Sequence, residues 1–137
     1  MRYLFSDTIN NFILLDYSPS HSQLVFRSIK NLSRDFNIDI MFKGVTYIEA
    51  PNGMRGLNIF LTPYTPKFEQ LSGETNEFVN PIVYALSDLG GNQFYIRAKC
   101  MGVFHNKLRI LETMIGRYDS GDFKEEQVLW HNIPKEK

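Results

Sequence analysis

The chain is poor in the groups that most often carry chemistry. One cysteine, Cys100, and three histidines, His21, His105 and His131, stand in 137 residues. A single thiol excludes an internal disulfide framework and points to a reducing, cytoplasmic setting. The histidines are far apart, and none sits in the spacing of a zinc finger or a His-Glu-x-x-His helix, so neither a metal nor a cofactor is expected. Fifteen basic residues are cancelled by fifteen acidic ones. A nucleic-acid partner would ask for a clustered basic excess, and none is expected. The longest apolar runs, such as Phe12-Ile13-Leu14-Leu15, fall far short of the ~20 residues that span a bilayer. Asp7 interrupts the stretch where a signal peptide would be apolar. The expectation is a soluble, cytoplasmic protein with no membrane partner.

Alternation is what the chain does have. Phe36, Ile38, Ile40 and Phe42 are separated by Asn37, Asp39 and Met41, a period of two that brings the first set into a core only if the backbone is extended. It reads as a sheet wet on one side. Leu24 and Phe26 against Gln23 and Arg27, and Leu57, Ile59 and Leu61 against Asn58, Phe60 and Thr62, repeat the pattern. Pro51-Asn52-Gly53 suggests a hairpin from Val45 to Leu61. Asp88-Leu89-Gly90-Gly91-Asn92 suggests another, joining Ile82–Leu86 to a strand through Phe94, Ile96, Ala98 and Cys100. Gly44 and Gly102, each followed by valine, read as bulges that coil a bent sheet.

Helix has two candidate sites. Thr65-Pro66 through Leu71 has proline in a first turn and Gly73 beyond it. Leu108, Leu111, Ile115 and Tyr118 keep one helical face, although Leu108 and Ile110 also alternate, so 106–118 reads equally as strand. The polar tail from Asp119 carries Val128, Leu129 and Trp130, which tie it down as a last edge strand. The whole predicts a mainly β protein: one domain, 1–134, folded as an antiparallel sandwich or a strongly curved sheet with one short helix, and a frayed end at 135–137.

Catalytic constellations fare poorly against simpler readings. Ser20-His21-Ser22 offers hydroxyls beside an imidazole, but neighbours on a strand point to opposite faces, so the run reads as a turn. Cys100 has Lys99 beside it, which lowers a thiol pKa, yet it shares a period with Phe94 and Ile96 and reads as buried and inert. Asp39 and Glu49 form a carboxylate pair only if their strands meet. Asn31-Leu32-Ser33 is a glycosylation sequon only in an exported protein. No catalytic residue is assigned.

An interaction reading remains. Nineteen aromatic residues exceed what a small one-sided sheet must bury, and between Lys67 and Arg97 no basic residue occurs. Phe68, Glu69, Glu74, Glu77 and Asp88 would form an acidic, partly aromatic surface that steers a basic protein partner. The rival is a small-molecule binding protein or enzyme with a cavity inside the sheet, its polar groups being Tyr47, Tyr95, Arg97 and His105. A third reading is an assembly module joined by an isologous contact.

Two segments, 21–28 (HSQLVFRS) and 37–48 (NIDIMFKGVTYI), resemble small bacterial β-rich proteins, among them immunity proteins of polymorphic toxin systems. The likeness is one of strand pattern and covers twenty of the 137 residues. It implies a non-catalytic protein that binds and blocks a cognate toxin, and it carries no active-site residues to transfer.

Overall fold

The computed structural model describes residues 3–62, 82–116 and 125–132. They form nine strands: β1 (Tyr3–Ser18), β2 (Gln23–Ser28), β3 (Asn37–Lys43), β4 (Tyr47–Glu49), β5 (Gly53–Thr62), β6 (Ile82–Ser87), β7 (Gln93–Ala98), β8 (Cys100–Asn106) and β9 (Glu125–Asn132). All belong to one antiparallel sheet in the order β4-β7-β6-β5-β1-β2-β3-β8-β9. The curved-sheet alternative therefore holds over the sandwich.

Curvature comes from a paired bend. β3 and β4 are one chain interrupted at 44–46, and β7 and β8 are one chain interrupted at Lys99. The two bend side by side: Lys99 N–H donates to the Lys43 carbonyl at 2.9 Å and Thr46 N–H to the Arg97 carbonyl at 2.9 Å. Gly44 takes φ +67° there, and a Cβ would sit 2.7 Å from the Lys99 side chain, so glycine is required. Gly102 is different. It pairs regularly with Met41, and its missing side chain makes room for Phe104 and Trp130.

The bend rolls the sheet round one apolar interior. Phe12, Phe26, Phe42 and Tyr84 are fully buried in it with Ile40, Leu57, Ile59 and Ile96. Phe26 meets Phe42 edge-on at 6.2 Å and Phe42 meets Tyr84 at 5.3 Å, contacts worth about 0.5–1.5 kcal/mol beyond area burial. Tyr84 of β6 reaches His131 of β9, its hydroxyl 2.9 Å from Nδ1, although the two strands lie near opposite ends of the strand order.

Three expectations are corrected. The turn at 51–53 does not close a hairpin: β4 pairs with β7, and β5 pairs with β1 and β6. Cys100 does not share a face with Ile96. The irregularity at Lys99 shifts the alternation by one residue, so Ala98 and Met101 both enter the core while Cys100 lies opposite Lys43 on the outer face. Residues 107–116 are neither helix nor strand but two turns joined by irregular chain, and no helix occurs among the described residues. The proposed helical turn at 65–71 lies outside them. The β6–β7 hairpin and the edge strand β9 are present as read.

The outer face of β2–β3–β8 is not wet. Val25, Met41 and Phe104 pack under Met114, with Leu15, Leu108 and Ile115 around them, so 107–116 acts as a cover. Beneath it Arg27 and Asp39 are wholly buried. Arg27 Nε donates to Asp39 Oδ1 at 2.6 Å and Nη2 to Oδ2 at 2.8 Å. Asp39→Ala strands the guanidinium, and we expect it to destabilise the fold by about 3–5 kcal/mol in urea unfolding, against a much smaller loss for the double variant Arg27→Met/Asp39→Leu.

Candidate functional site

The buried ion pair is the centre of a larger network. Arg27 Nη1 donates to the carbonyls of Arg109 and Ile110, both at 3.1 Å. Asn106 Nδ2 donates to Asp39 Oδ2 at 2.7 Å. Asn37 Nδ2 donates to Asn106 Oδ1 at 3.0 Å and to the Leu108 carbonyl at 2.9 Å, while Asn37 Oδ1 accepts from Lys30 N–H at 2.9 Å. Segment 107–116 has no ladder of its own, so Arg27 of β2 and Asn37 of β3 supply donors to its carbonyls, and Asn106 Oδ1 of β8 accepts from Leu108 N–H at 3.3 Å.

What the network holds is an exposed apolar tip. Ile110 is 54% and Leu111 76% exposed. The tip is closed by Glu112 N–H donating to the Arg109 carbonyl at 3.0 Å and by Arg109 N–H donating to Glu112 Oε1 at 2.8 Å. A second loop, 29–36, is bound to it: Lys30 Nζ donates to the Lys107 carbonyl at 3.1 Å, and Lys107 Nζ pairs with Asp35 at 3.1 Å. That loop carries a fully exposed Leu32 and is fixed by Asn31 Oδ1, which accepts from Ser33 and Arg34 N–H. Arg34 reaches the Ser28 and Phe36 carbonyls at 3.2 and 2.7 Å. Two locked loops thus present Leu32, Ile110 and Leu111 among Lys30, Lys107 and Arg109.

Phe68, Glu69, Glu74 and Glu77 lie outside the described residues. Asp88 sits in the β6–β7 turn, where its oxygens accept from Asn92 N–H at 3.0 Å and Asn92 Nδ2 at 3.2 Å. Its slight burial raises the carboxyl pKa, but Asn92 and the turn N–H groups outweigh this and hold it below the usual value. The carboxylate braces its own turn.

Tyr47, Tyr95 and Arg97 do come together. Tyr47 pairs with Arg97 and Glu49 with Tyr95, and the Tyr47 hydroxyl donates to Glu49 Oε2 at 2.9 Å. They lie on the outer face, since Ile48 and Ile96 between them pack in the core. His105 is not with them: it stacks on Phe36 at 4.3 Å. Glu49 does not meet Asp39, whose cross-strand neighbours are Arg27 and Phe104. His21 does meet serines, against the strand argument, because 19–22 is a turn. Its Nδ1 lies 2.8 Å from Ser18 Oγ and 3.2 Å from Ser20 Oγ on an exposed corner. Burial pushes the Cys100 thiol up, although Lys43 and Lys99 pull it down. Among the described residues no three His, Cys, Asp or Glu side chains group to hold a metal ion.

No protein-family model matches the chain, and neither a curated protein nor a solved structure matches it. No helix among the described residues is long and apolar enough to cross a membrane.

The network is what sequence reasoning missed. Its signal was present: Arg27, Asn37 and Asp39 occupy the polar phase of strands, and Leu108, Met114 and Ile115 follow as apolar residues in need of a face. Next to the network, Glu125 stands opposite Asn106 on β9. Its Oε2 is buried with no hydrogen-bond partner among the described residues. Burial and the Asp39 charge raise the Glu125 pKa, with Lys43 acting the other way. A folded-state pKa above the unfolded one gives stability that is present below the ordinary carboxylate range and lost as pH rises through the folded value. Glu125→Gln should therefore unfold at higher urea than the wild type at pH 8 and nearly with it at pH 4, measured by fluorescence.

Proposed function

We propose that the chain is a non-catalytic protein-binding module whose partner docks on the surface made by loops 29–36 and 107–112. One observation carries this reading: a fully buried ion pair and two buried asparagines hold in place a tip whose own side chains, Ile110 and Leu111, face water. Exposed aliphatic side chains on a locked loop add nothing to the core. Held in one conformation, they bind a partner with little further loss of chain entropy. The acidic stretch read from the sequence, Phe68, Glu69, Glu74, Glu77 and Asp88, would offer a basic region of the partner a second contact. The partner class is the one the resemblance implies, a toxin neutralised stoichiometrically in the cytoplasm, as by an immunity protein.

The ligand-cavity reading has less support, because Tyr47, Tyr95 and Arg97 line the outside of the sheet and the inside is occupied by Phe12, Phe26, Phe42 and Tyr84.

The test is a tagged pull-down from the native cells, followed by titration of the recovered partner. A stoichiometric protein partner is expected, bound at least tenfold more weakly by Ile110→Ser/Leu111→Ser, a loss of about 1.4 kcal/mol or more. Coexpression should also relieve growth inhibition by that partner. Recovery of no protein overturns the module. A partner held equally well by the double variant overturns the surface.

A further inference from the structure

β9 is the last strand of the sheet, and no described strand pairs with its outer edge. Its inner edge is fastened to β8 over eight residues with one irregularity: Val103 opposes Leu129 and Phe104 opposes Gln127, which leaves Val128 as the extra residue of a bulge. Val128 is 51% exposed and Trp130 39% exposed. The indole is held over the gap at Gly102, where a Cβ would meet its ring at 2.8 Å, and Lys43 Nζ lies 5.4 Å from the ring centroid. The strip is therefore half apolar and charged unequally along its length, with Glu125 and Glu126 at one end and the Lys43 ammonium over Trp130 toward the other, from where it also acts on Glu125 of its own chain.

We propose that β9 pairs antiparallel with β9 of a second copy of this chain across a two-fold axis. The strip is complementary to itself only in that sense. With the axis between Val128 and Leu129, Glu125 of each copy stands opposite Asn132 of the other, and Gln127 opposite Trp130. The two acids thus approach the end over which Lys43 reaches, and symmetry makes the match twice. A parallel pairing would set acid against acid. The apolar middle, Val128 and Trp130, leaves water as the edge amides find partners. Assembly closes at two because both copies use the same edge, and the other end of the sheet, β4, is a strand of three residues. This surface is separate from the loops proposed for the partner, so either inference can fail without the other.

Sedimentation equilibrium of the full chain across a wide concentration range tests it. The expected result is a reversible dimer of twice 16.0 kDa, with the β9 amides gaining hydrogen-exchange protection as concentration rises. Val128→Lys should raise the dissociation midpoint at least tenfold while circular dichroism and the urea midpoint stay as in the wild type. Glu126→Lys, on an exposed position, should weaken the dimer at low salt more than at high salt. A monomer at every concentration overturns the proposal, and so does a dimer that neither variant weakens.

Discussion

The buried Arg27–Asp39 pair constrains more of this molecule than any other contact. Two charges taken out of water lose several kcal/mol of hydration each, and their attraction offsets this only when every remaining donor and lone pair is met. Here the requirement is met by distant parts of the chain. The pair itself ties β2 to β3, Asn106 brings in β8, and Arg27 Nη1 brings in two carbonyls of the segment that covers all three strands. A one-residue slip of any of these strands would turn a charge toward the aromatic interior. The pair therefore specifies register more than it adds stability.

The paired bend at Gly44 and Lys99 decides where function can reside. It lets a sheet with nine strands in open order wrap a single interior, and large side chains from β1, β2, β3 and β6 meet there. The proposed contacts therefore lie on the outside: loops at the Asn37 and Asn106 ends of β3 and β8, and the edge of β9 that no described strand pairs. The outer face of β4–β7 collects Tyr47, Glu49, Tyr95 and Arg97 by the alternation of a strand, since the chain neighbours of an inward isoleucine must point outward.

How much of this was legible follows from which residues decide each feature. β2, β3 and β7 could be read because each keeps its alternation, and β6 because it is a short apolar run ahead of a turn sequence. β1, the longest strand, could not: its register shifts between Tyr3 and Phe5, between Asp7 and Asn11, and again between Leu14 and Asp16, so no period of two survives in its sequence. At the shift after Asp7, its Oδ1 accepts from Ile9 and Asn10 N–H, both at 2.9 Å, local bonds that compete with the ladder. The polar phase of β3 was legible but its environment was not. An aspartate facing solvent and one facing a buried guanidinium look alike until residue 27 and residue 39 are known to be neighbours. The same limit hid the cover at 107–116, whose apolar residues follow the shape of Val25, Met41 and Phe104 instead of any period of their own. Of the acidic surface read from composition, Asp88 turned out to serve its own turn.

The network and the edge strand are not electrically independent. Glu125 begins β9 and stands opposite Asn106, the residue that holds Asp39 Oδ2. A negative charge on Glu125 therefore acts on the same carboxylate that positions Arg27. Lys43 opposes that charge from the next strand but one while lying over Trp130. Burial of Glu125 Oε2 with no hydrogen-bond partner among the described residues is a local penalty, and its place opposite Asn106 sets that charge beside the Asp39 carboxylate.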